Sequence, residues 1–136
     1  MILVTSMSLR GHRRAVSAAR AHLTQRYARG VERLLWETEK HPLPDLDAVR
    51  VVIAAAADGQ AEALDVGAAL VLLQAARLDV DRLEFEVFEA AGAIGMNGEA
   101  IAAVLDLPSA EAADRRYARL HSRHEIPRAH VEPLPR

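Results

Sequence analysis

The chain has no cysteine. That excludes a disulfide framework, a thiol nucleophile and a zinc–thiolate site. It has one lysine, Lys40, among seventeen basic residues, so its positive charge is almost wholly guanidinium. Aromatics are few: Trp36, Tyr27, Tyr117, Phe85 and Phe88. A β-sandwich would show more aromatic and β-branched alternation. No apolar run approaches the roughly 20 residues of a membrane span. Met1-Ile2-Leu3-Val4 is too short for a signal-peptide core, and a cytoplasmic protein without a membrane partner is expected. No glycine-rich phosphate loop and no nucleophile motif is present. His121, His124 and His130 are close in sequence, but their spacing matches no standard metal site. Glu84, Glu86 and Glu89 lack the Glu-x-x-His arrangement of di-iron bundles. No catalytic residue, no metal and no cofactor is therefore expected, and the chain does not read as an enzyme.

What the chain does have is helix. About half of its 136 residues are apolar, much of that alanine. The fold class expected is all-α: a helical bundle with a long central helix and a C-terminal helix-turn-helix. The net charge of −2 argues against a general nucleic-acid binder, but the charge is segregated. Residues 10–33 carry seven Arg and one Glu; residues 37–111 carry fifteen acids against Lys40, Arg50, Arg77 and Arg82; residues 115–136 carry six Arg and two Glu. Such a pattern either makes two basic surfaces for a polyanion or lets basic arms dock on an acidic middle.

Four segments follow. Residues 1–40 contain a basic amphipathic helix, from Leu9 to about Thr38, with Val16, Ala19, Leu23, Tyr27, Val31 and Leu34 on one face. Arg14, Arg26, Arg29 and Arg33 lie opposite, and Gly30 marks a kink. The first eight residues read as a loosely packed leader. Residues 41–64 hold the linker His41-Pro42-Leu43-Pro44 and a short helix opened by Asp45 and ended at Gly59, a residue suited to a left-handed cap. Residues 65–123 open with a heptad pattern: Val66, Leu73, Val80, Val87 and Ile94 at one position, Ala69, Ala76, Leu83 and Ala90 three residues later. One helix over 65–94 is favoured over two that break near Asp81. Its seam is expected to bury against the first helix or a second subunit, and a homodimer is expected. Residues 124–136, with Pro127, Pro133 and Pro135, read as a non-helical tail.

The stretch from Asp81 to Arg123 organises the rest. After Gly95-Met96-Asn97-Gly98, Asn97 can cap a short helix over 99–105, with Ile101, Val104 and Leu105 as its buried face. Asp106-Leu107-Pro108 makes a turn in which Leu107 plugs the corner. Ser109 then caps a last helix with Ala113, Tyr117 and Leu120 on one side and Arg115, Arg116, Arg119 and Arg123 on the other. Two helices joined by such a turn are the sequence form of a helix-turn-helix. Four guanidiniums on one face suit phosphate contacts. The same pattern also describes an ordinary solvated surface helix.

The run Ile101-Ala102-Ala103-Val104-Leu105-Asp106-Leu107-Pro108-Ser109-Ala110-Glu111-Ala112-Ala113-Asp114-Arg115-Arg116-Tyr117-Ala118-Arg119-Leu120 resembles small helix-turn-helix regulators of actinobacterial type. Those read roughly L-A-x-A-L-G-V-x-S-R-Q-A-A-E-R-R-Y-x-R-L. Residues 65–91 resemble that family's upstream helical region. The resemblance implies a transcriptional regulator whose partner is double-stranded DNA. Ser109, Ala110, Glu111 and Asp114 would face the major groove, and Arg115, Arg116, Arg119 and Arg123 would hold phosphates. Two positions depart from the pattern. The turn glycine is Asp106, and the Arg-Gln pair that could read guanine or adenine is Ala110-Glu111. The alternative is a helical protein–protein interaction module that keeps the helix-turn-helix shape without specific DNA reading.

Overall fold

The computed structural model describes residues 2–131, with side chains over 10–123. Among the described residues all regular structure is helical: α1 (Ile2–Tyr27), α2 (Gly30–Glu39), α3 (Asp45–Ala57), α4 (Ala63–Ala93), α5 (Gly98–Val104) and α6 (Ala110–Val131). None of the described helices is long and apolar enough to cross a membrane. The chain divides into two units, Met1–Arg77 and Leu78–Arg136.

Helices end where the backbone turns left-handed. Gly59 (φ +71) and Gly95 (φ +91) take the conformation that glycine adopts without steric cost. At Gly95 the amide of Met96 reaches back to the Ala91 carbonyl at 2.9 Å, and the Gly95 amide reaches Gly92 at 3.1 Å. This pair of bonds satisfies carbonyls that the helix end would leave open. Gly30 (φ +58) does more than kink the first helix. The expected single helix from Leu9 to Thr38 is two helices: Arg29 is extended (φ −136, ψ 158) and Gly30 left-handed, and neither conformation continues a right-handed helix. The leader expected before Leu9 is helical from Ile2, in a stretch with neither Gly nor Pro before Gly11. Its side chains lie outside the described residues.

The first unit has the larger core. Val16, Ala19 and Leu23 of α1, Ala48, Val49 and Val52 of α3, and Ala68, Ala69, Leu72 and Ala75 of α4 are buried together, with Ala28 and Leu43. Leu43 brings the proline-bounded linker into this core, and its amide donates to the fully buried Thr24 hydroxyl at 3.0 Å. Asp45 pins α3 to α1 by a two-pronged pair with Arg20, at 2.8 and 3.0 Å.

The central helix is continuous from Ala63 to Ala93, as favoured from the sequence. Its buried face differs from the one expected. The heptad residues Val66, Val80, Leu83, Val87 and Ile94 are 41, 58, 60, 66 and 79 % exposed. Of that seam, Ala69 is buried in the core and Leu73 packs partly against it. In the first unit α4 buries Ala68, Ala69, Leu72 and Ala75, and in the second Phe85 and Phe88, and the line from Val66 to Ile94 falls largely outside that face.

The second unit is built on Phe85 and Phe88 of α4 and Leu120 of α6, with Ile101 and Tyr117 packed partly against them. The Phe85 and Tyr117 rings stack at 5.8 Å between centroids. Helix α6 extends past Arg123 and through Pro127 to Val131, where a non-helical tail is expected. A proline inside a helix loses one amide donor and its ring crowds the carbonyl four residues earlier, which weakens or bends a helix without having to end it. Residues 132–136 of that tail lie outside the described residues.

Candidate nucleic-acid interface

The segment 97–123 of the second unit carries every residue singled out for DNA contact. It begins at a cap: the Asn97 side chain accepts from the Ala100 amide at 2.9 Å. Helix α5 has seven residues and buries Ala102 most deeply. The expected buried face of Ile101, Val104 and Leu105 is corrected. Ile101 is half-buried, but Val104 is 75 % exposed and Leu105 is exposed. A two-turn helix has one contact face, and residues 98, 101 and 102 occupy it.

The turn that follows is closed by backbone bonds. Leu105 donates to Ile101 at 3.0 Å, Asp106 to Ala103 at 3.3 Å, and Leu107 to Ala102 at 2.8 Å. The pattern requires a left-handed residue at Asp106, and its φ is +56. Aspartate tolerates that conformation better than most non-glycine residues. Leu107 is half-buried after the turn. Ser109 then caps α6, its hydroxyl accepting from the Ala112 amide at 3.2 Å. A β-carbon added to Gly98 would sit 3.3 Å from the Ala110 Cβ and from an Asp114 oxygen. Glycine at 98 thus lets the start of α5 lie against the start of α6.

These contacts sort the eight residues expected at DNA. Ser109 uses its hydroxyl as a cap. Ala110 is half-buried beside Gly98. Glu111 and Asp114 are exposed. Arg116 is half-buried and forms a two-pronged pair with Glu84 of α4, its Nη2 donating at 3.1 Å. The Glu84 hydrogen bond, opposed by desolvation, holds that guanidinium above its usual pKa. Arg123 donates to Asp81 at 2.7 Å. Arg115 and Arg119 are exposed, and neither has an ion-pair partner among the described residues. The four arginines therefore do not form one solvent face. Two flank the packed side of α6 and tie it to α4, and two point outward. Tyr117 also reaches α4, its hydroxyl donating to Glu89 at 3.1 Å. Desolvation and that hydrogen bond push the phenol above its usual pKa.

Sequence reasoning missed a second polar site, in the first unit. Asp65, in the first turn of α4, has no exposed surface. It accepts from His22 Nε2 at 2.7 Å, Tyr27 Oη at 2.9 Å and the Glu62 amide at 2.9 Å, and pairs with Arg26 Nε at 3.0 Å. Burial alone would raise its pKa. The Glu62, His22 and Tyr27 hydrogen bonds and the Arg26 charge outweigh burial and hold it below the ordinary carboxylate value. Its position three residues after Glu62 is a helix-start signal, but its partners on α1 are more than thirty residues away. His22 also lines an apolar groove of about 520 Å³ with Ala15, Ala18, Leu64, Gly67 and Val71. No group of three or more His, Asp or Glu is placed to hold a metal among the described residues.

No family model, curated protein or solved structure matches this chain. The functional reading rests on the geometry above and on the residues themselves.

Proposed function

We propose that α5, the Asp106 turn and α6 act as a DNA-binding helix-turn-helix, and that the chain is a transcriptional regulator that grips duplex DNA through phosphate contacts. The observation that carries this reading is the pair Arg115 and Arg119. They are exposed, one helical turn apart on α6, and neither meets a carboxylate among the described residues. The left-handed Asp106 supports it too, since it falls where the resembling regulators carry glycine. Base reading is weak in this scheme. Ser109 is engaged in capping, Ala110 lies against α5, and Glu111 and Asp114 repel phosphate. Only a cytosine amino group would suit Glu111.

Binding should then be electrostatic and steep in salt. Replacing Arg115 and Arg119 by Ala is expected to weaken binding to all duplexes alike and to flatten the log Kd–log salt slope by roughly 2. Fluorescence anisotropy at two salt concentrations measures it. Wild-type protein that is folded by circular dichroism yet leaves duplex DNA unbound at ~50 mM salt removes the reading.

A homodimer of this regulator is supported by a different observation, the exposed Val80, Leu83, Val87 and Ile94 on the part of α4 in the second unit. In this stripe Val80, Val87 and Ile94 hold one heptad position and Leu83 and Ala90 the other, and β-branched residues at one position suit a parallel two-stranded coiled coil. We therefore take the occupant of this stripe to be a second copy of the chain, so that the regulator is a homodimer. Light scattering at ~100 µM, where an obligate interface persists, should give twice the chain mass. A single-chain mass there rules the dimer out.

A further inference from the structure

We infer that the N-terminal half of α1 is a second, sequence-independent phosphate-binding surface, formed by Arg10, Arg13 and Arg14 and directed at duplex DNA. No Asp or Glu precedes Glu32 in the chain, so α1 contains cations and no anion. Its C-terminal half is neutralised by neighbouring helices: Arg20 by Asp45, and Arg26 by Glu62 and Asp65. Arg10, Arg13 and Arg14 are exposed, with no ion pair among the described residues. Their spacing of three and four residues puts them on one helix face. The first unit carries ten Lys and Arg against eight Asp and Glu, whereas the second carries seven Arg against eleven. The unit without the helix-turn-helix segment is thus the one with the positive balance.

The neighbours of these arginines select the polyanion. Through residues 10–18 the other exposed positions are Gly11, Ala15, Ser17 and Ala18. Single strands are held by stacking bases on aromatic rings, and none stands among these positions. A basic helix that inserts into a lipid surface carries bulky apolar residues beside its charges, and these positions offer only alanine. Three guanidiniums among small side chains, with room for a backbone to approach, fit the phosphates of a duplex.

The inference shares its duplex with the reading of α6 but uses different residues, so each can fail alone. The full-length chain with Arg10→Ala, Arg13→Ala and Arg14→Ala together is titrated against a random-sequence duplex at several salt concentrations, beside the Arg115→Ala/Arg119→Ala chain. The α1 variant should flatten the salt slope by roughly 2.7, at about 0.9 per contact. Its Kd at ~50 mM salt should rise more than about tenfold. The triple Arg→Lys chain should keep the wild-type slope, since the point charge remains. Circular dichroism checks folding, which exposed Arg→Ala changes in a helix should not impair. An unchanged slope in the α1 variant overturns the inference, whatever α6 does. A loss in the α1 variant with none in the α6 variant upholds it and removes the α6 reading. Absence of duplex binding by wild type overturns both. So would preference for phosphatidylserine vesicles over duplex, which would make the surface a membrane contact.

Discussion

The two units use the same materials to different ends. In the first, α1, α3 and α4 bury an aliphatic core in which Leu23 and Leu72 are wholly covered, and Asp65 is buried at its edge with four donors around it. In the second, two phenylalanines and a leucine form a small core, and a stripe of large apolar residues stays outside. The arginines follow one rule in both. Those beside a packing face, Arg20 and Arg26 on α1 or Arg116 and Arg123 on α6, meet carboxylates from a neighbouring helix. Those facing away, Arg10, Arg13 and Arg14 or Arg115 and Arg119, are exposed and meet no carboxylate among the described residues. Segment charge therefore overstates what is available to bind. The informative quantity is the charge left after packing.

The largest expected break in the comparison is in the first core. Leu72→Ala removes a fully buried side chain and should cost roughly 3–4 kcal/mol. Urea denaturation reads the loss. Hydrogen exchange should place it first in α1, α3 and the adjoining part of α4. A cost under about 1 kcal/mol would mean that the core collapses around the gap and is not the close-packed body described here.

A smaller effect tests the buried carboxylate. Asp65 is held below its ordinary value of 3.8 when folded. A depressed carboxylate contributes stability that is full above its unfolded value and is lost as pH falls through its folded one. Amides around Asp65 should thus lose protection on acidification below about pH 4. Asp65→Asn should cost about 2 kcal/mol at neutral pH, because donors on α1 lose a charged acceptor, and should remove this part of the acid sensitivity. Identical acid profiles for parent and variant would sink the assignment. No carboxylate among the described residues of the second unit is so enclosed, so its exchange should respond less over the same range.

The smallest effect lies in the second unit. Asp106→Gly relieves a left-handed non-glycine residue and removes a negative charge from a helix C-terminus. A gain of about 0.5 kcal/mol is expected after glycine's greater unfolded-state entropy is counted. Thermal denaturation would detect it, and a destabilised variant would show that the Asp106 side chain has a role its backbone does not reveal.

Local features were legible because each is decided within a few residues. The all-helical class, the left-handed end at Gly59, the break at Gly95-Met96-Asn97-Gly98, the Asn97 and Ser109 caps, the linker at Pro42–Pro44 and the continuity of α4 depend on conformational preference and short-range hydrogen bonds. Gly30 was legible as an irregularity but not as a full break, since the strength of a helix on either side of a glycine depends on what each side packs against. The face that α4 buries was decided only by tertiary structure. Hydropathy ranks Val66, Val80, Leu83 and Val87 above Ala68, Ala69 and Ala75, yet the face of α4 that packs carries Ala68, Leu72 and Ala75 in the first unit and Phe85 and Phe88 in the second. The same is true of charge. Arg115 and Arg116 are adjacent in sequence and identical in chemistry, but the hundred-degree step between them on a helix turns one to solvent and the other to Glu84. The partners that neutralise an arginine sit on another helix, dozens of residues away, and only the packed chain brings them within reach.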